Sequence, residues 1–345
     1  MRKTSTVILA AASAAVAGPA ASAQQAGPAR EPVTVENYSR AQSDVYFAHT
    51  VKAGAFGKLQ HGRALAAPGQ RGIIRPNRDT LYSFGVFDLD AGPVTITLPH
   101  GARRFMGMQV VNQDQLTPIA HDEPGTYTLT RETAGTRYAT VVVRFLVDFS
   151  DPEEVRQVHA LQDAIKVSQR SPGTFAVPDW DEDSLQKVRS ALLVLGTTLT
   201  DTRGAYGAHA RDVDPVKHLI ASALLWGGNR DRDALYYPVT PARNDGGTVY
   251  RLTVGEVPVD GFWSVTVYNR DGYFDSNPGN AYSVNSLTAK KAADGSVTIQ
   301  FGGCDGTTPN CLPVTDGWNY TVRLFRPRAE VLEGRWRFPI AQPAN

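Results

Sequence analysis

Short strand-like runs punctuated by turn residues fill both ends of this chain, and no strand–helix–strand rhythm runs through either end. The clearest run is Thr140 to Phe149. Val141, Val143, Phe145, Val147 and Phe149 share one parity, while Thr140, Arg144 and Asp148 share the other, which predicts a strand with one dry face. Upstream, Thr80 to Leu89, Val94 to Pro99, Arg104 to Val111 and Gly125 to Thr130 read the same way. Downstream, Thr248 to Val254, Phe262 to Asn269, Ser296 to Phe301 and Asn319 to Phe325 alternate with turn signals at Asp271-Gly272, Asp294-Gly295 and Asp316-Gly317. Short strands between turns predict a mainly β fold, two antiparallel β-sandwich domains in place of a parallel sheet.

Helical periodicity is confined to a few places. Tyr38, Ala41, Val45 and Ala48 recur at steps of three and four, predicting a leading helix from Thr34 to about Val51. Asp151-Pro152-Glu153-Glu154 supplies a cap, a proline suited to the first helical position and a capping-box glutamate, and that helix continues to about Val167. A second helix runs from Asp183 to about Leu195 with Leu185, Val188, Leu192 and Leu195 on one stripe. A third starts at Asp214-Pro215 and stops near Trp226 before Gly227-Gly228. The predicted layout is therefore a β-rich domain over 34–167 with its leading helix, a helical connector over 168–240 and a β-sandwich domain over 241–345.

Met1-Arg2-Lys3-Thr4, an alanine-rich apolar run and Ala21-Ser22-Ala23 together read as a signal peptide over residues 1–23. The run is shorter than the roughly 20 apolar residues a membrane span requires. Residues 24–33 read as a loose leader. The expectation is a periplasmic or secreted protein with no membrane insertion after signal removal. A formal net charge of +1 supplies no basic field, so no nucleic-acid partner is expected. Cys304 and Cys311, with six residues between them, lack Cys-x-x-Cys spacing and a nearby histidine. In an oxidising compartment a disulfide closing that loop is the natural reading.

Candidate chemistry centres on Arg75-Pro-Asn-Arg-Asp-Thr-Leu-Tyr82, where Arg75, Asn77, Arg78, Asp79 and Tyr82 crowd a loop entering a strand. The arginines and Asn77 can hold a polar or anionic ligand, with Asp79 as a base and Tyr82 as a donor. The plainer alternative, which leads, has Asn77 and Asp79 bonding local backbone and Arg78 pairing with a carboxylate. In the strand from Phe262, alternation places Ser264, Thr266 and Tyr268 with Phe262 on one face and Trp263, Val265, Val267 and Asn269 on the other. These hydroxyls and rings could line a pocket, although core packing explains most of them.

Asp179, Asp181 and Asp183 alternate as in a calcium loop, yet Ser184 and Ser190 stand where such a loop needs glycine and a bidentate glutamate; a helix N-terminus explains these acids better. His209, Asp212, Asp214 and His218 form no His-x-x-x-His pair, and His121-Asp122-Glu123 is a loop acid–base candidate of low weight. No metal is expected. With no nucleophile elbow, Walker loop or dinucleotide fingerprint, no cofactor is expected either.

Two ordered sets of motifs carry a family resemblance. Asn77 to Ser83, Asp88-Leu89, Pro99 with Arg104-Phe105, and Leu161-Gln162-Asp163 resemble domain of unknown function twelve-fifty-four (DUF1254). Pro258 to Tyr268, Asn277-Pro278, Asp294-Gly295-Ser296, Asn310 to Pro313, Arg323 to Pro327 and Gly334-Arg335-Trp336 resemble its C-terminal companion, domain of unknown function twelve-fourteen (DUF1214). Cys311 stands where that pattern usually has tryptophan, suggesting a disulfide in place of an aromatic plug. Ala281 stands where arginine is common, which removes an anion-binding candidate. The resemblance implies two jelly-roll-like sandwiches with helices at their junction, and no settled reaction.

The resulting expectation is an exported protein that holds a small polar or carbohydrate-like ligand in an inter-domain cleft. Arg75, Asn77, Arg78, Trp263, Ser264, Thr266 and Arg323 are the candidate ligand contacts. One alternative is a hydrolase or lyase drawing a carboxylate and a tyrosine from Asp79, Tyr82, Asp114 and Tyr268. Another is an envelope structural or assembly protein, which would form homo-oligomers.

Overall fold

The computed structural model describes residues 30–344, so the segment read as a signal peptide over 1–23 and most of the one read as a leader over 24–33 lie outside the described residues. The leader's last residues are tied down: the Glu31 N–H donates to Asp179 O and its carbonyl accepts from Asp181 N, both at 2.8 Å. Among the described residues no helix is long and apolar enough to cross a membrane.

The first half begins with α1 (Tyr38–Lys52), which starts four residues later than its periodicity suggests because Asn37 folds back to accept from Thr34 N at 2.8 Å. Then come β1 (Gln60–His61), β2 (Thr80–Asp88), β3 (Val94–Leu98), β4 (Met106–Asn112), β5 (Ile119–His121) and β6 (Gly125–Leu129). The one-turn helix α2 (Arg131–Ala134), capped by Thr130, leads to β7 (Tyr138–Leu146), α3 (Pro152–Asp163) and β8 (Lys166–Gln169). Two antiparallel sheets result, in the orders β1-β2-β7-β4-β5 and β6-β3-β8. Leu81, Phe87, Val94, Ile96, Met108, Val141, Val143 and Phe145 from the two sheets meet in one core, which α3 closes with Val158.

One expectation needs correction here. The second face of β7 is not wet: Thr140 is 4% and Arg144 7% exposed, because the rest of the protein covers that side of the sheet.

Two longer helices follow, α4 (Glu182–Gly196), whose cap is Asp181, and α5 (Pro215–Leu224), capped by Asp214. They pack on α1 through Tyr38, Ala41, Leu185, Leu192 and Ile220. The second half comprises β9 (Ala234–Val239), β10 (Tyr250–Val254), β11 (Trp263–Tyr268), β12 (Ser283–Asn285), β13 (Val297–Phe301), β14 (Cys311–Leu312), β15 (Asn319–Phe325), α6 (Ala329–Leu332) and β16 (Gln342–Pro343). Its sheets run β12-β11-β15-β9 and β14-β13-β10-β16, antiparallel except for the short parallel pairing of β13 with β14. Leu252, Val265, Ile299, Phe301, Trp318, Tyr320 and Val322 form their common core.

The stretch read as a helical connector thus gives up both ends to sheets: β8 belongs to the first half and β9 pairs with β15 in the second. The fold is mainly β, several antiparallel sheets with few helices and no closed barrel. Cys304 and Cys311 are disulfide-bonded, with Cα atoms 5.7 Å apart. The bond anchors β14 beside β13.

Candidate functional site

Alternation along three neighbouring strands builds a floor. On β2, β7 and β4 one parity faces the first core, so the other presents Thr80, Tyr82 and Phe84, Val142 and Arg144, and Gln109 and Val111. Register places Tyr82 directly opposite Arg144 and Gln109 opposite Val142. The facing wall comes from the second half: Tyr236 on β9 lies opposite Arg323 on β15, and Phe325 follows on the same face. Leu225 to Asn229, after α5, closes one side. The strand-free segment from Gly62 to Asn77 closes another. Together they enclose a cleft of about 710 Å³.

Five arginines reach this cleft and, among the described residues, no aspartate or glutamate lines it. Arg63 and Arg71 have acidic partners outside, Asp163 and Asp271. Arg75, Arg144 and Arg323 do not share in any ion pair among the described residues. Their donors go to neutral oxygens.

Arg144 donates from Nη1 to Asn229 Oδ1 at 3.1 Å and from Nη2 to Gln109 Oε1 at 2.7 Å, while its buried Nε has no partner. Gln109 is itself oriented by donating to Thr117 Oγ1, Gly227 O and Gly228 O at 2.9–3.0 Å. Asn229 Nδ2 donates to Tyr236 OH at 2.6 Å. The guanidinium is therefore held in a fixed frame that ends at both walls.

Arg75 adopts the left-handed region at φ 50. It donates to Leu224 O at 3.0 Å and Asn319 Oδ1 at 3.3 Å, and its Nε is also buried without a partner. Burial, with Arg189 and Arg323 nearby, pulls its pKa down to about 10. Arg323 donates to Thr266 Oγ1 at 3.0 Å, to Tyr268 OH at 2.7 Å and to Arg75 O at 2.7 Å. Burial works against its charge, but the Tyr268 hydroxyl and the Asp79 carboxylate more than offset that, leaving its pKa above normal.

Asp79 stands behind this wall and outside the cleft lining. It is 1% exposed, its Oδ1 accepts from Ser283 Oγ at 2.7 Å and Asn285 Nδ2 at 2.9 Å, and its Oδ2 is buried and unpartnered. Tyr268 is also buried, donating to Pro76 O at 2.8 Å. Burial, its largest influence, raises its pKa against the pull of Arg323. Asp114 is elsewhere, paired with Arg40 at 2.5 Å. Of the four residues considered as acid–base groups, only Tyr82 lines the cleft, so the cleft does not assemble them.

The other candidates divide similarly. Asn77 lines the cleft while its Oδ1 accepts from Asp79 N at 2.7 Å, the local turn bond that its residue type suggests. Arg78 does not pair with a carboxylate as expected: it donates to Ala66 O and Asn280 Oδ1 and lies 4.6 Å above the Tyr282 ring. Ser264 and Thr266 are buried behind Arg323. Trp263 points the other way, into the second core.

Asp181 and Asp214 serve as helix caps, and Asp122 pairs with Arg326 at 3.1 Å. Among the described residues no group of three or more metal-ligating side chains is assembled. Sequence reasoning missed Gln109, Asn229 and Tyr236, which have no local signature. Arg144 had one, a charge in the middle of an apolar strand.

Comparison with known proteins adds architecture. No curated protein matches the chain. The crystal structure of the VPA0106 protein from Vibrio parahaemolyticus is similar over 90% of this chain and 98% of its own, with TM-score 0.66 and 16% identity. That of an uncharacterised protein from Burkholderia cenocepacia is similar over 89% and 87%, with TM-score 0.51 and 15% identity. At these identities the likeness is one of fold. Family models described as proteins of unknown function match on either side of the cleft, one ending at Gln169 with β8 and one opening at Thr240 just after β9. The chain carries a DUF1254 domain at residues 56–169 followed by a DUF1214 domain at residues 240–329.

Proposed function

We propose that this is an exported small-molecule-binding protein whose ligand occupies the cleft between the two halves. The observation that carries the reading is the cleft itself: about 710 Å³, walled by both domains, with a pre-oriented polar frame around Arg144 and an apolar lining from Phe84, Val111, Val142, Trp226 and Phe325. Concave sites of this size with a few fixed polar groups are what small ligands require. The disulfide supports residence in an oxidising compartment, in line with the signal-peptide reading. Each half is read as a two-layered sandwich of jelly-roll type, supported by the core its two sheets share. A carboxylate–tyrosine hydrolase is less well supported, since Tyr82 has no acid beside it in the cleft lining.

The test is a melting-temperature screen of the mature protein against sugars, phenols and small organic acids. A ligand at a hundredfold excess over its Kd stabilises the folded state by about 2.7 kcal/mol. A rise is expected with at least one class, accompanied by a change in tryptophan emission, to which Trp226 in the lining contributes. A screen flat across all classes would discard the reading.

A further inference from the structure

We infer that the ligand of this cleft is an organic anion, a carboxylate on an apolar body, with its charged end on Arg144 and Arg75; the inference rests on the small-molecule reading above and narrows it. Arg144 is 7% exposed and Arg323 3% exposed, and together with Arg75 they bring three guanidinium groups to one cleft. The Asp79 carboxylate behind the wall favours the Arg323 charge from a distance, without a direct ion pair. Nothing acidic in the cleft lining answers the other two. Buried cations without a counter-charge are expensive in a medium that solvates them poorly. A bound anion supplies what is missing.

The unused donors say where. Arg144 spends one N–H of each Nη on Asn229 and Gln109, and Arg75 one of each on Leu224 O and Asn319 Oδ1, so each guanidinium keeps unused N–H groups, the buried Nε among them. Tyr82, opposite Arg144 in register, adds a hydroxyl donor on the same floor. A carboxylate is a planar acceptor of the kind guanidinium groups recognise.

A phosphate monoester fits less well. Leu225, just past the C-terminal end of α5, lines this cleft, and the carbonyl end of that helix disfavours a dianion more than a monoanion. Most of the remaining lining surface is apolar, from residues such as Ile73, Phe84, Val111, Val142, Trp226 and Phe325, matching an alkyl or aryl body.

The experiment titrates the mature, disulfide-intact protein with octanoate, octan-1-ol and octyl phosphate, reading heat of binding and tryptophan emission, to which Trp226 in the lining contributes. Octanoate is expected to bind roughly tenfold or more tightly than the alcohol, a preference carried by charge-assisted hydrogen bonds. Arg144→Met is expected to erase that preference while retaining or raising the melting temperature, because it removes an uncompensated charge. If Arg144→Met does not fold, Arg75→Met carries the same comparison. Equal binding of acid and alcohol would overturn the anion assignment and leave the cleft reading intact. Tighter binding of octyl phosphate would overturn the choice of carboxylate. Binding of none of the three would overturn the anion assignment, while the cleft reading is decided by the screen of sugars, phenols and small organic acids.

Discussion

Arg323, on the second half's central strand, donates from Nη2 to the backbone carbonyl of Arg75 at 2.7 Å, and Arg75 sits in the left-handed region at φ 50. A non-glycine residue holds that conformation only where its surroundings fix it. Here the Arg75 N–H donates to Gly272 O at 2.9 Å, so both ends of its peptide framework are clamped by the opposite domain. The loop that aims Arg75 into the cleft is therefore shaped by residues almost two hundred positions away and more.

Replacing Arg323 should loosen this clamp. Arg323→Ala leaves Thr266, Tyr268 and the Arg75 carbonyl without their shared donor and is expected to cost at least about 1–3 kcal/mol, the range for leaving a buried polar group unsatisfied. Arg323→Lys should recover only part, since one ammonium cannot span three acceptors set around a planar fork. Urea unfolding of the mature protein measures both.

At Gly228 a Cβ would approach the Tyr206 ring carbons to 2.2 Å. Tyr206 is buried, and its hydroxyl donates to Ala221 O at 3.0 Å, so it cannot step aside. Gly228→Ala is expected to cost at least about 1–3 kcal/mol. Because Gly228 O orients Gln109, the same change should weaken ligand binding by more than the loss of stability accounts for. Calorimetric titration at a temperature where the variant remains folded separates the two effects.

Acid should attack a specific pair. Asp88 is 2% exposed; burial pushes its pKa up, but Arg137, at 3.0 and 2.8 Å, and the N–H groups of Thr174 and Asp90 outweigh that and leave it below normal. Its folded pKa is thus lower than its unfolded one. The stability it contributes is complete above the ordinary aspartate value of about 4 and is lost as pH falls through the depressed folded value. Asp88→Asn is expected to lower stability at neutral pH and to flatten that acid limb, which denaturation across a pH series would display.

Reducing Cys304–Cys311 removes a cross-link across a sequence separation of seven. On the chain-entropy relation a loop of that size is stabilising by about 2.5 kcal/mol. The double variant Cys304→Ser with Cys311→Ser should be less stable by that amount, and so melt lower, while keeping its cleft, to which neither cysteine contributes. A melt with and without reductant gives the same comparison on the natural chain.

The fold was legible where a local rule suffices. Asp151 and Asp214, each followed by proline, marked helix starts, and Val141, Val143 and Phe145 marked the core face of their strand. Strands β8 and β9 were hidden because their residues have weak alternation and owe their conformation to distant partners, Val94 to Thr97 and Tyr320 to Phe325. In the cleft, Arg75, Asn77, Tyr82 and Arg323 were visible as unusual residues in resembling motifs. Gln109 and Asn229 were not, since their meaning comes only from Arg144 lying between them. Trp263 misled because an indole reads equally well as a wall or as filling, and parity alone decides.

Asp79 finds its two donors, Ser283 and Asn285, 204 and 206 positions further along the chain. Cut the polypeptide between its domains and Asp79 loses both of its side-chain donors, while Arg323 loses the Arg75 carbonyl to which it donates. The two modules are therefore poor candidates for separate expression or for grafting onto other proteins: each is the other's missing solvent, and they are to be handled as one indivisible piece.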